Sequence, residues 1–354
     1  MIDRIIKRAA REIRVRGAIG KIKATRLVHR YVSSCKMQKI TPRAVAVAAH
    51  DILLFMVVRN ERLRLPYVLD YYFSRGVGAA FIIDDRSDDG SLEFLRAYKN
   101  VNVFRIDEPF NRKAIWLDVL LNRYARGHWC LIVDADELLA YPHEEVLALR
   151  QLCGYLEHHG YNAFDCLLLD MYSDKSVDSV IYESGQDPLA AAPFFDPDGY
   201  TQEKADTRKR HFLPDLVYSG PGRVTGGVRR RVFGLERVCV SKFPLVHFMP
   251  PMFIGLGTHW VEGVRAPNIR GVLFHCKYFH DFRQRVQAGA GSKTYVNDSY
   301  EYKRYLDVLQ HERSLSLYYS GSMKYRGVKQ LLDLGLMESS EQFDAFVEKV
   351  KRTS

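Results

Sequence analysis

Three clusters of acidic and amide side chains each follow an apolar run within the first 140 residues of the 354-residue sequence. The residues are Asn60, Glu61, Asp84, Asp85, Asp134 and Asp136. Carboxylate and amide oxygens are ligands for hard divalent cations, and they accept hydrogen bonds from sugar and base hydroxyl or amino groups. If the apolar runs are neighbouring strands, the three clusters form one polar site.

Asp134 and Asp136 come directly after the apolar run WCLIV, where a strand gives way to a turn. Two carboxylates at this spacing can hold a divalent ion, which would bridge a diphosphate and neutralise the charge that develops as the diphosphate leaves. The alternative is that both residues are acidic groups at a helix N-terminus. A position after a buried strand, beside two other polar strand ends, favours the metal site.

Asp84 and Asp85 open the segment DDRSDDGS, which ends one apolar run and precedes a helical pattern. Both carboxylates can accept hydrogen bonds from a nucleobase or from ribose hydroxyls. Residues 87–89 can cap the following helix, and Gly90 permits a tight turn. No GxGxxG follows the first apolar run, so the dinucleotide-binding fingerprint is excluded.

Apolar runs and amphipathic segments alternate between residues 51 and 140. Strands are predicted at 52–58, 79–83, 101–106 and 129–133, and helices at 61–75, 92–99 and 113–125. This alternation predicts an α/β fold with a mostly parallel sheet flanked by helices, in which ligands bind beyond the carboxyl ends of the strands. Further strands are predicted at 163–170, 228–233, 243–248 and 272–278, a loop at 187–207, and a helical C-terminal segment from 302 to 350.

The first 43 residues hold thirteen Lys or Arg and only two acidic residues, although the whole chain has a net charge of +10. One helical face carries Ile2, Ile5, Ile6, Ala9 and Ile13. This basic amphipathic arm suits an anionic membrane surface, and packing against the same chain is an equal alternative. Nucleic acid is not expected as a partner, because few aromatic residues interleave the charges.

The six cysteines form no CxxC pair and no zinc-finger spacing, which indicates a reducing compartment such as the cytosol. No apolar stretch reaches the roughly 18 residues that a membrane span needs. The N-terminus lacks the uninterrupted apolar stretch of a signal peptide. The expected location is therefore cytoplasmic, peripheral on the inner face of the membrane if the arm binds lipid.

The ordered motifs MVVRNE, IIDDRSDDGS and LIVDADE resemble glycosyltransferase family 2 and its relatives with the GT-A fold. The sequence is most similar to the branch that begins with a strand and NE and carries DxDE. The resemblance covers about residues 51–140 and is looser from 160 to 290. It implies a GT-A domain over 45–290; together with the charge and helical patterns this predicts a basic arm over 1–44 and a C-terminal helical segment over 291–354.

The same resemblance assigns roles to individual residues. Asp85 would contact the base of a donor nucleotide, Asn60 and Glu61 would line the nucleotide pocket, and Asp134 and Asp136 would hold Mn²⁺ or Mg²⁺ on a sugar diphosphate. Lys113, with its neighbour Arg112, is placed to approach the phosphates, and surface charge is the equal alternative.

The general base is less evident, because no two adjacent acidic residues follow Glu145 and the Glu-Asp pair of many inverting members is missing. Asp170, which closes the apolar run CLLLD, is the chosen candidate. Asp174 and Asp215 compete with it, and an isolated Asp at a strand end is often a turn residue.

Histidines in the second half supply further candidates. His275, at the end of an apolar run, is a candidate third metal ligand, with Lys277 beside it for phosphate. The alternative for His275 is a hydrogen-bonded core residue. His247 and His259 are candidates for an acceptor pocket. Arg229, in a run of three arginines, is expected on a strand that meets an anion or forms an exposed edge.

Together these residues predict an enzyme that transfers a sugar from a nucleotide-diphosphate sugar, a UDP-sugar by preference, to a hydroxyl of a glycan or lipid-linked acceptor. Asp136 and Asp170 would be its catalytic residues. A nucleotidyltransferase on a similar sheet is one rival, but the Gly-rich phosphate loop that it needs is missing. A nucleotide-sugar-binding protein without turnover is the other rival, and the intact DxD argues against it.

Overall fold

The computed structural model describes residues 24–42, 47–203, 222–255, 258–291 and 299–353. It confirms the predicted α/β fold, in which a nine-stranded sheet is flanked by helices. The predicted apolar face from Ile2 to Ile13 lies outside the described residues.

The described part of the chain contains eleven α-helices. They are α1 (24–36), α2 (Leu65–Ser74), α3 (Ser91–Ala97), α4 (Lys113–Tyr124), α5 (Leu149–His158), α6 (Pro188–Ala191), α7 (Val228–Phe233), α8 (Phe282–Gly291), α9 (Tyr300–His311), α10 (Val328–Asp333) and α11 (Glu341–Thr353). The strands of the large sheet are β1 (Gln38–Lys39), β2 (Ile52–Val58), β3 (Val77–Asp84), β4 (Val101–Arg105), β5 (Trp129–Ile132), β6 (Glu137–Ala140), β7 (Ala163–Asp170), β11 (Ser241–His247) and β14 (Arg270–His275). Short two-stranded pairings use β8 (Phe194–Phe195), β9 (Tyr200–Gln202), β10 (Val224–Gly226), β12 (Phe253–Ile254), β13 (Val261–Glu262) and β15 (Met323–Lys324).

The large sheet has the order β1-β4-β3-β2-β5-β11-β7-β14-β6. Strands β4, β3, β2 and β5 run parallel to one another. Strand β11 is antiparallel to both β5 and β7, whereas β7 and β14 are parallel. The first half is thus the predicted parallel sheet, and the second half mixes the two directions.

Strand β2 is buried on both faces, as its unbroken apolar run predicts. Its alternate residues enter two different cores, with Leu54 and Met56 in one and Leu53 and Phe55 in the other. Helix α2 packs its buried side chains into the first core, and α4 packs into the second. Helices therefore cover both faces, and the open edge of the parallel half lies at its strand ends.

The described part of the basic arm packs on the body of the protein. Arg26 in α1 donates hydrogen bonds to the buried carboxylate of Asp118 in α4, and Ser33 donates to Glu108 at 2.5 Å. On the outer face of α1, Leu27 and Tyr31 are 55% and 72% exposed. Among the described residues, no helix is long and apolar enough to span a membrane.

The prediction of a strand at 228–233 is wrong, because these residues form helix α7. Gly227 and Gly234 lie on either side of it with φ angles of 64° and 63°, values that suit a residue without a side chain. The helical turn points three successive arginines in different directions, so that Arg229 reaches Asp170 and Arg231 reaches Asp196. The apolar Val and Phe at the two ends of segment 228–233 gave it a sequence pattern similar to that of a strand.

The C-terminal segment is mostly helical over 299–353, as expected. It packs against the sheet, since Phe343 and Val347 of α11 are part of the same core as β2. Glu338 exchanges two backbone hydrogen bonds with Arg270 in β14. Its side-chain Oε1 also accepts a hydrogen bond from Arg270 NH1 at 3.0 Å. This segment therefore supports the strand that ends at His275.

Replacement of Gly271 by Ala is expected to destabilise the fold by about 1–3 kcal/mol, because overpacking a tight core forces its neighbours to shift. A Cβ at this position in β14 would lie 2.6 Å from the Ala140 carbonyl oxygen and 2.9 Å from Cys166 Sγ. Gly154 in α5 is the matched control, since a Cβ there meets nothing within 4 Å. Gly154→Ala should stabilise the helix by about 0.5–1 kcal/mol. Urea denaturation measures both, and equal midpoints would contradict the packing.

Candidate functional site

The ends of β2, β3 and β5 meet at one edge of the sheet. Val58 pairs with Asp84, and Phe55 pairs with Ile132, so the three strands end side by side. Beyond these strand ends lie the three predicted polar clusters, at residues 60–61, 84–85 and 134–136. The register therefore brings all three to the same edge, as parallel strands require.

The first two clusters form one hydrogen-bonded unit. Asn60 Oδ1 accepts a hydrogen bond from the Asp88 amide at 2.9 Å, and the Glu61 amide donates to Ser91 Oγ at 2.9 Å. The Asp85 amide donates to the Val58 carbonyl at 2.8 Å. The segment after β2 and the segment after β3 thus hold each other in place.

Asp84 and Asp85 have fully buried side chains with different partners. Asp84 accepts from Arg105 Nε of β4 at 2.7 Å, and Asp85 accepts from Arg86 at 2.7 Å. Asp84 Oδ1 and Asp85 Oδ2 are buried atoms without a hydrogen-bond partner in the part of the chain that the structure describes. Arg59 NH1 lies 3.8 Å from Asp85 Oδ2, so this carboxylate also has a second arginine beside it.

Asp134 and Asp136 do not begin a helix, because strand β6 starts at Glu137. The alternative of an acidic helix N-terminus is therefore wrong. Glu137 instead shapes the turn: its Oε2 accepts from the Asp134 amide at 2.8 Å and from Lys242 Nζ at 2.6 Å. Both Glu137 and Lys242 are buried, so the turn that carries the two aspartates is built around an internal ion pair.

Asp134 is the more open of the two aspartates, with 35% of its side chain exposed. Its Oδ1 lies 2.5 Å from Nζ of Lys113, the first residue of α4. Burial by itself would raise the pKa of Asp134, but the ammonium groups of Lys113 and Lys242 hold it well below its ordinary value. The carboxylate is therefore charged at any working pH.

Asp136 faces two cationic or potentially cationic groups. Its Oδ2 lies 3.5 Å from His275 Nε2 and 3.9 Å from Arg285 NH2. Burial would raise the pKa of Asp136, but His275 and Arg285 lower it below its ordinary value. The predicted neighbourhood of Asp136 and His275 is thus observed, although 139 residues separate them in the sequence.

His275 owes its orientation to the sheet register, which pairs it with Asp170 of β7 on one side and Glu137 of β6 on the other. Its Nδ1 lies 2.5 Å from Asp170 Oδ1. Nδ1 also lies 3.1 Å from Arg229 NH2, so Nε2 is the ring nitrogen that faces Asp136. A carboxylate behind a histidine is the usual way to orient a metal-binding imidazole.

Asp170 is poorly suited to be a general base. It is buried, and Arg229 donates to its Oδ2 at 2.9 Å and to its Oδ1 at 3.2 Å. Burial would raise the pKa of Asp170, but Arg229 and His275 hold it well below its ordinary value. Such a carboxylate accepts a proton only weakly. Of its competitors, Asp174 is exposed and accepts from Ser173 at 3.1 Å, and Asp215 lies outside the described residues.

Glu61 is buried between two arginines that the sequence reasoning missed. Arg285 NH2 donates to its Oε1 at 2.7 Å, and Arg64 NH1 lies 3.4 Å from its Oε2. Arg64 also holds Asp281 with two hydrogen bonds of 2.7 and 2.8 Å. Arg285 therefore joins the end of β2 to the end of β5, because it contacts both Glu61 and Asp136.

The remaining predicted residues divide between the site and other regions. His247 pairs with Trp129, at the start of β5, so it lies at the opposite end of that strand from Asp134. Its assignment to an acceptor pocket at this edge is wrong. His259 is close enough to Asp134 to lower its pKa, and its Nδ1 lies 3.2 Å from the Ser241 carbonyl. Lys277 contacts Tyr305 OH at 2.7 Å and Glu301 at 3.5 Å.

Within the described ranges, no group of three or more His, Cys, Asp or Glu side chains is arranged to hold a metal ion. Mg²⁺ is commonly bound by one or two carboxylates, with phosphate oxygens and waters as its other ligands. Asp136 and His275 lie 3.5 Å apart and Asp134 is two residues from Asp136, so these side chains supply only part of a metal coordination shell. They do not form a permanent cage by themselves.

The rate at which iodoacetamide alkylates Cys239 is expected to reach half of its maximum at about pH 7. Burial would raise the pKa of this thiol, but hydrogen bonding to His259 and Ser241 lowers it to about 7, and only the thiolate reacts. Mass spectrometry of peptides alkylated between pH 6 and 9 measures the profile, with exposed Cys35 as the accessible reference. In His259→Ala the profile of Cys239 should move to higher pH, and an unchanged profile would contradict the contact.

Comparisons with known proteins assign no family to the chain. No family model and no curated protein matches it. It is weakly similar to a solved UDP-glucose pyrophosphorylase complexed with UDP-glucose (11% identity, TM-score 0.26, 37% of this chain and 60% of that chain). It is also similar to a glucose-1-phosphate thymidylyltransferase from Bacillus anthracis (10%, 0.26, 39% and 65%). A third match is a 4-diphosphocytidyl-2C-methyl-D-erythritol synthase (18%, 0.25, 40% and 67%). The chain spans only 60% to 67% of the length of these three chains, and similarity at this level assigns no activity.

Proposed function

We propose that the protein is a metal-dependent glycosyltransferase that uses a nucleotide-diphosphate sugar, a UDP-sugar by preference. The observation that carries the proposal is the 3.5 Å contact of Asp136 with His275, in the turn after β5 that also carries Asp134, beside the ends of β2 and β3. Carboxylates and an oriented imidazole at this edge suit a divalent ion and a diphosphate.

In this proposal Asp134, Asp136 and His275 Nε2 hold Mn²⁺ or Mg²⁺. The ion, when bound, stabilises the negative charge that the departing nucleotide diphosphate acquires. Asp170 and Arg229 keep His275 in place, because His275 Nδ1 lies 2.5 Å from Asp170 Oδ1 and 3.1 Å from Arg229 NH2. Asp170 therefore enters as a positioning residue, and the proposal assigns no general base.

The donor nucleotide is placed across the ends of β2 and β3. The buried oxygens of Asp84 and Asp85 are acceptors for the base or ribose, and the unit formed by Asn60 and Glu61 supports the same pocket. Lys113 lies one hydrogen bond from Asp134 and is close enough to meet a diphosphate bound there. In this arrangement the nucleoside lies at the ends of β2 and β3, and the diphosphate lies at the neighbouring end of β5.

Calorimetric titration of UDP with Mn²⁺ and then with EDTA tests the proposal. We expect UDP to bind at least about tenfold more tightly with the metal, which corresponds to a coupling of about 1.4 kcal/mol. GDP and CDP serve as nucleotide controls, since they differ from UDP only in the base, which the contact at Asp85 should distinguish. If UDP binds equally well with and without metal, or does not bind at all, the proposed function fails.

We also propose that the acceptor is a glycan or lipid-linked glycan and that the arm brings the protein to an anionic membrane. The basic charge of residues 1–43 and the exposed Leu27 and Tyr31 of α1 support this. Because Arg26 and Ser33 already bind the body, the deletion should stop at residue 23. Removal of residues 1–23 is expected to release the protein from phosphatidylserine liposomes, and unchanged co-sedimentation would rule out residues 1–23 as the part of the arm that binds the membrane.

A further inference from the structure

The charges at the two aspartates are already compensated by side chains of the protein. Lys113 Nζ lies 2.5 Å from Asp134, and Arg285 NH2 lies between Glu61, at 2.7 Å, and Asp136, at 3.9 Å. We propose that Lys113 and Arg285 are resident counter-ions that move to the diphosphate when the metal and donor bind, so that each of the two ligands binds more tightly when the other is present. This inference rests on the proposed function of the site.

Lys113 is free to exchange partners. It is the first residue of α4, its side chain is 17% exposed, and its ammonium sits on a flexible four-carbon stem. Asp134, its partner, is itself 35% exposed. By contrast, Lys242 and Glu137 are 1% and 2% exposed, so that pair cannot open without disrupting the core.

Arg285 has an unused donor. Its NH1 is buried and has no hydrogen-bond partner in the described part of the chain, although its NH2 binds Glu61. A buried guanidinium nitrogen without an acceptor is costly, and a phosphate oxygen would satisfy it. Arg64 Nε is also buried without a hydrogen-bond partner in the described part of the chain, but Asp281 holds NH1 and NH2 of Arg64, and its side chain is only 3% exposed.

Electrostatics then couples the two ligands. A bare divalent cation would have to approach Asp134 and Asp136 against the charges of Lys113 and Arg285. It would leave Lys113 without its counter-charge at Asp134, whereas Arg285 would keep Glu61 as its partner. A bare diphosphate would have to approach two carboxylates. When both bind, the metal takes the carboxylates and the displaced cations take the phosphate oxygens, so each charge keeps a partner.

The test is a calorimetric cycle on the full chain. Mn²⁺ is titrated alone and with saturating UDP, and UDP is titrated alone and with saturating Mn²⁺. We expect each ligand to tighten the other by the same factor, about tenfold or more. The variants are Lys113→Met and Arg285→Met, which keep an unbranched apolar side chain and remove the charge. The control is Arg283→Met, a residue of the same helix that binds Asp178 instead.

Both variants should bind Mn²⁺ alone more tightly than the wild type, should bind UDP with Mn²⁺ more weakly, and should show less coupling. The control should behave as the wild type. Lys113→Arg, which keeps the charge, should retain the coupling, and it gives an independent answer if a Met variant fails to fold by circular dichroism. Weaker binding of Mn²⁺ alone in the Met variants, or equal loss of coupling in Lys113→Arg, would overturn the inference. If the wild type shows no metal-dependent UDP binding, the proposed function itself has failed.

Discussion

Asp136→Asn should lower the rate of sugar release from the donor by roughly a thousandfold, the size of effect seen when one group that stabilises transition-state charge is removed. The substitution keeps the shape of the side chain but removes the negative charge that faces His275 Nε2 at 3.5 Å. In the proposed function, the variant has one negative ligand fewer for the metal ion that stabilises the departing diphosphate. Hydrolysis of a UDP-sugar with Mn²⁺ measures the effect without any knowledge of the acceptor.

The same substitution should leave the fold intact. The contacts of the Asp136 carboxylate are 3.5 and 3.9 Å long, and its backbone carbonyl, which accepts from the Cys276 amide at 2.8 Å, is unchanged in Asn. The thermal midpoint is therefore expected within a few degrees of the wild type. Asp174→Asn, at an exposed position, is the matched control for both rate and stability. A variant at 136 that keeps the wild-type rate would remove this residue from the metal site.

Lys242→Met should lower the free energy of unfolding by about 3–5 kcal/mol, because it leaves the Glu137 carboxylate buried and unpaired. The two side chains are 1% and 2% exposed and lie 2.6 Å apart. The double variant Lys242→Met with Glu137→Leu should recover much of the loss, since replacing both charges removes the unpaired group. Urea denaturation of the single and double variants measures the difference.

Lys113→Met is the contrasting substitution. Its ion pair with Asp134 is partly exposed, and such pairs contribute only about 0–1 kcal/mol. Equal stabilities of Lys242→Met and Lys113→Met would show that the pair of Glu137 and Lys242 is not buried as described. The double variant Lys242→Met with Glu137→Leu should still lose activity, because the Glu137 carboxylate also accepts a hydrogen bond from the Asp134 amide and thereby shapes the turn.

The parallel half of the sheet was predictable because its signals are local. An unbroken apolar run such as 52–58 indicates a strand buried on both faces, and a polar residue at its end is read directly from the sequence. Since parallel strands end at one edge, Glu61, Asp85 and Asp134 could be assigned to a common edge without any knowledge of side-chain contacts. The prediction failed at 228–233, where the apolar pattern of a short helix imitates a strand.

The sequence alone therefore determined the α/β class and the acidic strand ends, because periodicity and strand ends depend on residues that are close along the chain. Only the tertiary structure decided which groups surround those acids. Asp170 meets Arg229 across 59 residues, Glu137 meets Lys242 across 105, and Glu61 meets Arg285 across 224. A charge has no periodicity that points to its distant partner, so these pairings follow from the packing of the sheet and of α7 and α8 upon it.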